Sequence, residues 1–403
     1  MKRSIAASAA ALFFCVAFAG AAARAPQSDE DPLDLKTIPI ADWLDQGEHA
    51  QIPWDFRVGE PYLRVDQRLE VSYVVSFRGK ELNKIGNTHE LFFVSRVSSP
   101  DGEWLEEPSV SRPVDQKVPD RNQTEFSLRV CLSPGEYLLW VVLYHRESGR
   151  HNLAKRRIKV PELRADPLPA MYEGTPLVEF PEAGDSDQGF VKGRLHLPVH
   201  NKVPLQIQLV ATLSPPQQWL SRPRALHAQT GVTAGALAAL SQLALAEGTL
   251  SIAGLDLVRQ EVVYDEADVH GVDWPIFTKA LKKAQTPEVS AKALQQSKNS
   301  GVFFKDFMND RIEGRAFDPM AMRILIVVSS SQLFERGSDL TPLQIEGDCR
   351  CRVYHLRFRL NNNDVFDEIE KIIKPLRPKT FNLVNPRDVR RAIADIVSEL
   401  EKF

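Results

Sequence analysis

The stretch 204–216, "PLQIQLVATLSPP", decides how the carboxyl half of the chain is read. It opens as a strand, with Leu205, Ile207 and Leu209 alternating against Gln206 and Gln208. It then stops in small hydroxyl residues and a proline pair. Such an ending puts polar groups at a strand tip, and α/β domains carry their ligand sites outside the carboxyl ends of their strands. The two glutamines are unusually polar for a strand expected in the middle of a sheet.

Downstream, strands and helices alternate. "TAGALAALSQLALAEG" (233–248) predicts an apolar helix with Thr233 as N-cap and Gly248 as terminator. "TLSIAGLDL" and "QEVVYDE" follow as a strand pair joined by a short turn, and "WPIFTKALKKA" and "VSAKALQQSKNSGVFFKDFMNDRI" read as helices. "MRILIVVSSS" (322–331) is a continuous apolar run, the pattern of a strand covered on both faces. "RVYHLRFRL" alternates, with Tyr354, Leu356, Phe358 and Leu360 on one side. Two amphipathic helices, "DVFDEIEKIIKPL" and "NPRDVRRAIADIVSELEKF", flank the short strand "KTFNLV". The second has Asn385 as cap and Pro386 in its first position. The alternation predicts a mostly parallel sheet between helices.

This order of elements resembles a von Willebrand factor A domain over residues 195–403, a doubly wound α/β fold. Such domains hold a divalent cation at the strand tips with a D-x-S-x-S motif, a loop Thr and an Asp after the fourth strand. Here "LVATLSP" puts Ala211, Leu213 and Pro215 at the motif positions, or Thr212, Ser214 and Pro216 one frame on. Ser330 or Ser331 stands where the later acid belongs, and Thr286 is placed for the loop Thr. A hard cation needs carboxylates to offset its dehydration, so the resemblance implies a degenerate site with no metal and no cofactor. Thr212, Ser214, Asp265, Thr286, Ser330 and Ser331 are the strand-tip candidates for contacts with a partner.

Upstream the pattern is different. "LEVSYVVSF", "HELFFVSRV", "TEFSLRVCL", "GEYLLWVVLYH" and "LAKRRIKV" are β-rich runs separated by turns such as "SPDG" and "ESGR". They predict an antiparallel, immunoglobulin-like β-sandwich over 61–162, with Trp54, Trp104, Trp140 and Tyr137 suited to its core. A Pro/Gly/Asp-rich linker, 163–194, joins the halves. With "LRVDQRL" and "GEYLLWVVLYHRESGR", the whole chain resembles bacterial exported proteins that pair an all-β module with a degenerate A-type domain.

The first 25 residues place Lys2 and Arg3 before "IAASAAALFFCVAFAGAAA", followed by an A-x-A ending, the pattern of a cleaved signal peptide. The alternative, a membrane anchor, rests on the length of the run. Phe13 and Phe14 occupy positions where lipid attachment at Cys15 would need small residues. Export to the periplasm or medium follows as an expectation, with no stable membrane insertion after cleavage. Residues 26–60, "PQSDEDPLD" among them, read as an extended acidic lead-in. Beyond the signal lie only Cys131, Cys349 and Cys351, few for a disulfide-stapled protein, and a bridge between the last two has poor geometry.

Chemistry is sparsely signalled. The net charge of −3 opposes nucleic acid as a partner. "DEAD" at 265–268 lacks the phosphate loop that such a motif needs, so it reads as a solvated acidic turn. His196 and His200, on a strand, stand about 13 Å apart, too far for one ion. A serine nucleophile at Ser214 or Ser330 needs His227 or His270 beside it. Arg350, Arg352, Arg357 and Arg359, with His355, form a basic stretch. It reads as a charged edge strand that blocks pairing, or as a dock for an acidic protein. The leading expectation is therefore a non-catalytic exported module for protein binding or envelope assembly. The alternative is an exported hydrolase using strand-tip Ser and Thr residues.

Overall fold

The computed structural model describes residues 33–85, 90–111, 119–181, 191, 193–213, 223–269, 271–285, 299–313, 318, 320–332, 334, 341–343, 351–359 and 367–403. In the amino half, helix α1 (Ile40–Gln46) and strands β1 (His49–Ala50), β2 (Asp55–Val58) and β3 (Tyr62–Leu63) lead into β4 (Leu69–Arg78). Helix α2 (Gly79–Ile85), β5 (Leu91–Ser98), β6 (Ser109–Ser111), β7 (Gln123–Leu132), β8 (Gly135–His145), β9 (His151–Val160) and β10 (Val178–Glu179) follow. Two antiparallel sheets result, ordered β1-β9-β8-β5-β6 and β10-β7-β4-β2, with β3 also on β4. Val71, Tyr73, Val75 and Phe77 of β4 meet Leu139, Val141 and Leu143 of β8 in one core, as the period-two alternation of both strands requires.

From residue 33 on, the expected lead-in is not extended and solvated: β1 and β2 pair into the two sheets, and Ile38 and Trp43 bury against Val94, Val142 and Leu153 on an outer sheet face. The apolar residues of the stretch outweigh its acidic composition. Trp54 does pack against the core, but Trp104 and Trp140 form an edge-on pair outside it, with Arg96 over one ring and Lys155 over the other. Trp140 alternates out of phase with the inward Leu139 and Val141.

The carboxyl half is a mixed α/β unit. β11 (Leu197–Val199) pairs in parallel with β13 (Leu243–Leu245), apart from the main sheet. That sheet comprises β12 (Leu205–Thr212), β14 (Gly248–Asp256), β15 (Glu261–Glu266), β16 (Met322–Ser330), β17 (Cys351–Phe358) and β18 (Lys379–Leu383), ordered β15-β14-β12-β16-β17-β18. All pairings are parallel except the one between β14 and β15. One face packs on α3 (Pro223–Leu240), α4 (Trp274–Gln285) and α7 (Pro386–Leu400). The other packs on α5 (Ser300–Glu313) and α6 (Glu368–Ile373).

Helix α3 begins ten residues before the expected cap, so Thr233 sits buried inside it. It also ends earlier, because "LAL" at 243–245 is drawn into the pairing with β11. Gly248 opens β14 rather than closing a helix. Its φ is +128°, and a Cβ there would lie 2.0 Å from the Leu205 carbonyl oxygen, so only glycine fits. Strand β17 is interior, between β16 and β18, so the expected charged edge is corrected too.

The halves meet through the "LRVDQRL" turn and the connection after β9. Arg64 pairs with Asp66 and Glu70, and Arg68 with Glu179, all largely buried. Gln67 adopts φ +67° and donates from Nε2 to the carbonyls of Val65 and Pro386, the latter opening α7. Val65 lies close enough to Gly235 of α3 that a Cβ there would approach its own at 3.2 Å. Arg390 of α7 reaches back to Asp166, Leu168 and Tyr172 of the connection.

Candidate functional site at the crossover of the sheet

Between β12 and β16 the strand order reverses, the position where open α/β sheets form a crevice at their carboxyl edge. Register pairs Ala211 with Val328, so one step further Thr212 stands beside Ser329. Both point to the α5/α6 face, as do His355 and Arg357 of β17. Ala211 and Leu213, the motif positions of the first frame, are fully buried among the apolar residues of the opposite face.

Ser329 Oγ lies 2.8 Å from His355 Nε2, and both side chains are completely buried. Asp367, the N-cap of α6, places Oδ2 3.9 Å from the same nitrogen. Its Oδ1 accepts from the backbone amides of Gln332 (3.1 Å) and Ile369 (3.2 Å). Gln332 Nε2 donates to Ser330 Oγ at 3.2 Å, and the Ser331 amide and hydroxyl both donate to the Phe358 carbonyl. The three serines are thus engaged within the fold. Thr212 Oγ1, His355 Nδ1 and Asp367 Oδ2 have no hydrogen-bond partner among the described residues.

Burial dominates the electrostatics. It pushes Asp367 up to about 7, against the pull of its two backbone bonds and of Arg357. It lowers His355 to about 3, with the Arg357 charge adding to the effect, so the imidazole is neutral near pH 7. A Ser–His–acid catalytic triad sets the acid on Nδ1 and the hydroxyl on Nε2. Here both approach Nε2, behind a closed surface. The cluster ties β16, β17 and the start of α6 together. Ser329, His355 and Asp367 were not singled out as a group from the sequence, since a 26-residue and a 12-residue gap separate them and no local motif links them.

The remaining candidates scatter. Asp265 lies on β15 opposite Ala253, short of the tip, and pairs with Arg311 of α5 at 2.5 Å. It is therefore engaged in an ion pair rather than part of a solvated turn. Ser214, Thr286, Arg350 and the histidines 227 and 270 lie outside the residues or side chains described. The arginines of β17 do not form one docking surface. Arg357 is buried, bonded to Asn382 at 2.6 and 3.0 Å and paired with Glu370. Arg352 lies on the opposite face, paired with Glu399 at 2.9 Å, and only part of Arg359 reaches solvent. Alternation along a strand divides such residues between its two faces.

Asp256, at the end of β14, is a buried acid near the tip that the sequence did not single out. It accepts from the Val258 and Arg259 amides at 3.0 Å, so it closes the turn into β15. Among the described residues there is no group of three or more His, Cys, Asp or Glu placed to hold a metal ion. Cys131 is free and buried, whereas Cys351 is disulfide-bonded. No described helix is long and apolar enough to cross a membrane.

No family model matches the chain, and no curated protein matches it. Among solved structures it has a slight likeness to the structural-genomics target SoR45, at 12% identity over 29% of this chain and 92% of that one, with a TM-score of 0.19. The ApaA protein from Bordetella pertussis is similar at 12% identity over 28% of this chain and 98% of that one, TM-score 0.18. A von Willebrand factor type A protein from Catenulispora acidiphila is similar at 8% identity over 67% of this chain and 47% of that one, TM-score 0.26. At these scores the likenesses carry no argument about function.

Proposed function

We propose that the chain is an exported, non-catalytic module for protein binding or envelope assembly, in which an immunoglobulin-like sandwich carries a von Willebrand factor A-like domain with a metal-free tip. The observation that carries this reading is the state of the crossover. Ala211 and Leu213 are apolar and buried where a metal site of this kind needs an acid and a serine, and Ser329, Ser330 and Ser331 already bond within the fold. Support for the A-type assignment comes from the sheet order, with the third strand antiparallel at the edge. The hydrogen bond from Tyr137 Oη to the Ser133 carbonyl, at 2.9 Å, is a corner of the kind found in immunoglobulin-like sandwiches. Lys2, Arg3 and the apolar run after them support export.

The test is affinity capture of the tagged mature chain from its own cell envelope, followed by reconstitution with the purified partner. A saturable one-to-one or repeating complex is the expected result. The second reading, an exported hydrolase, is favoured only by the 2.8 Å contact between Ser329 and His355. Turnover of ester or amide substrates that disappears in Ser329→Ala, with the fold intact, would replace the first reading with the second.

A further inference from the structure

The charged edge that β17 does not form belongs to β9. That strand runs for ten residues, Lys155, Arg156, Arg157 and Lys159 among them, but its outer neighbour β1 pairs only with Asn152 and Leu153. Backbone groups along a strand turn alternately towards its two sides. The His145 amide donates to the Arg150 carbonyl, so the even-numbered residues of this ladder face β8. The odd-numbered ones face outward: the His151 carbonyl accepts from the Gln51 amide, and the Lys155 amide donates to Glu48 Oε1 at 2.6 Å. Beyond Lys155, the amides and carbonyls of Arg157 and Lys159 turn outward with no partner strand among the described residues, until Pro161 ends the run.

The side chains on this edge are cationic. Lys155, Arg157 and Lys159 share the outer face, where Lys155 Nζ lies 4.2 Å from the Trp140 ring centroid. Arg157 and Lys159 are exposed, and among the described residues only Glu136, 3.5 Å from Lys159, pairs with either. A second copy is a poor occupant. Antiparallel pairing about a two-fold at Arg157 would set Arg157 against itself and Lys155 against Lys159, and like charges directly opposite are destabilising. An acid is a good occupant, and the chain itself supplies an example. Gly47, at φ +82°, turns the backbone away from β9, and Glu48 next to it leaves its carboxylate on the edge, bonded at 2.6 Å to both the Lys155 amide and Arg156 Nη1.

We propose that the bare edge of β9 docks an extended acidic segment of a partner protein, which adds to the sheet through the backbone of Arg157 and Lys159 and sets acidic side chains at alternate positions beside those two cations. Main-chain bonds supply the affinity of such strand addition, and the alternate side chains supply its selectivity. The inference rests on the reading of the chain as a protein-binding module and names the chemistry of the partner.

Isothermal titration of the full chain with short synthetic peptides tests it. The probes are a peptide of alternating glutamate and threonine, its lysine counterpart, and the glutamate form with N-methylated backbone amides, which keeps the charge but cannot pair. The glutamate peptide is expected to bind saturably, at least about tenfold more tightly than either control. It should also slow amide hydrogen exchange across 155–160. Arg157→Glu with Lys159→Glu alters two exposed side chains, so this variant is expected to fold as the parent does and to prefer the lysine peptide. The proposal is overturned if the glutamate peptide does not bind, if either control binds as well, if exchange across 155–160 is unchanged, or if the double variant keeps the parent's preference. Such a failure would leave the wider reading to its own test, capture of a partner from the cell envelope, so the two are told apart.

Discussion

Arg390 of the last helix and Asp166 of the connection, 224 residues apart in sequence, form a two-pronged ion pair at 2.5 and 2.6 Å. The arginine is 2% exposed, and it also donates to the Leu168 carbonyl at 2.9 Å and lies over the Tyr172 ring. Removing one partner of such a pair strands the other charge away from water.

Arg390→Leu is therefore expected to destabilise the protein by about 3 kcal/mol in urea unfolding, the lower end for a broken buried pair because Asp166 keeps some access to solvent. Burial alone would raise the Asp166 carboxyl, but the bonds from Arg390 and the Leu168 amide overcome it and hold the group below its ordinary value. A depressed carboxylate contributes stability that is present above its unfolded pKa and is lost as pH falls through the folded one. Asp166→Asn should flatten that acid limb. An unchanged limb would remove the pair from the account of acid stability.

His355 and Asp367 titrate against each other. Asp367 rises from 3.8 to about 7, so its contribution is full below the unfolded value and is lost as pH climbs to 7. His355 falls from 6.5 to about 3, so its contribution is full above the unfolded value and is lost as pH drops to 3. Between 3.8 and 6.5 the two slopes oppose, and the pair should add almost no net pH dependence there. In His355→Gln stability should fall with rising pH across that interval, by up to about 1.4 kcal/mol per pH unit, and in Asp367→Asn it should rise as steeply. Urea midpoints measured through the interval decide the matter. Curves of the same slope in all three proteins would mean the two groups titrate normally.

Ser329→Ala removes the one described partner of His355 Nε2 and leaves that nitrogen buried. The expected cost is about 1–2 kcal/mol of stability, the penalty of an unpaired buried polar group. Thermal unfolding measures it. A neutral result would mean the imidazole finds another partner.

Divalent cations should leave the melting temperature unchanged. A site at a hundredfold excess over its Kd would add about 2.7 kcal/mol, enough to see in Mg²⁺ or Mn²⁺ against EDTA. A reproducible rise lost in Thr212→Ala or Ser330→Ala would restore the metal site to the crossover.

Local pattern in the sequence was enough to read several elements. The alternation of Tyr354, Leu356 and Phe358, the unbroken apolar run at 324–328 and the cap at Asn385 each depend on residues a few positions apart, and each appears in the structure as read. The order of elements in the carboxyl half was legible for the same reason. Neighbours across strands were not. That β17 is interior, that Arg357 is buried beside Asn382, and that Ser329 touches His355 all depend on which strand lies beside which. The start of α3 and the pairing of β13 with β11 were hidden likewise, because "LAL" suits helix and strand equally until a partner strand is present. The polarity of Gln206 and Gln208 was visible in the sequence, but its meaning was not. Only packing placed Arg311 of a distant helix against them, and the free energy of a buried polar atom depends on what stands within hydrogen-bond reach, which the linear order of residues does not contain.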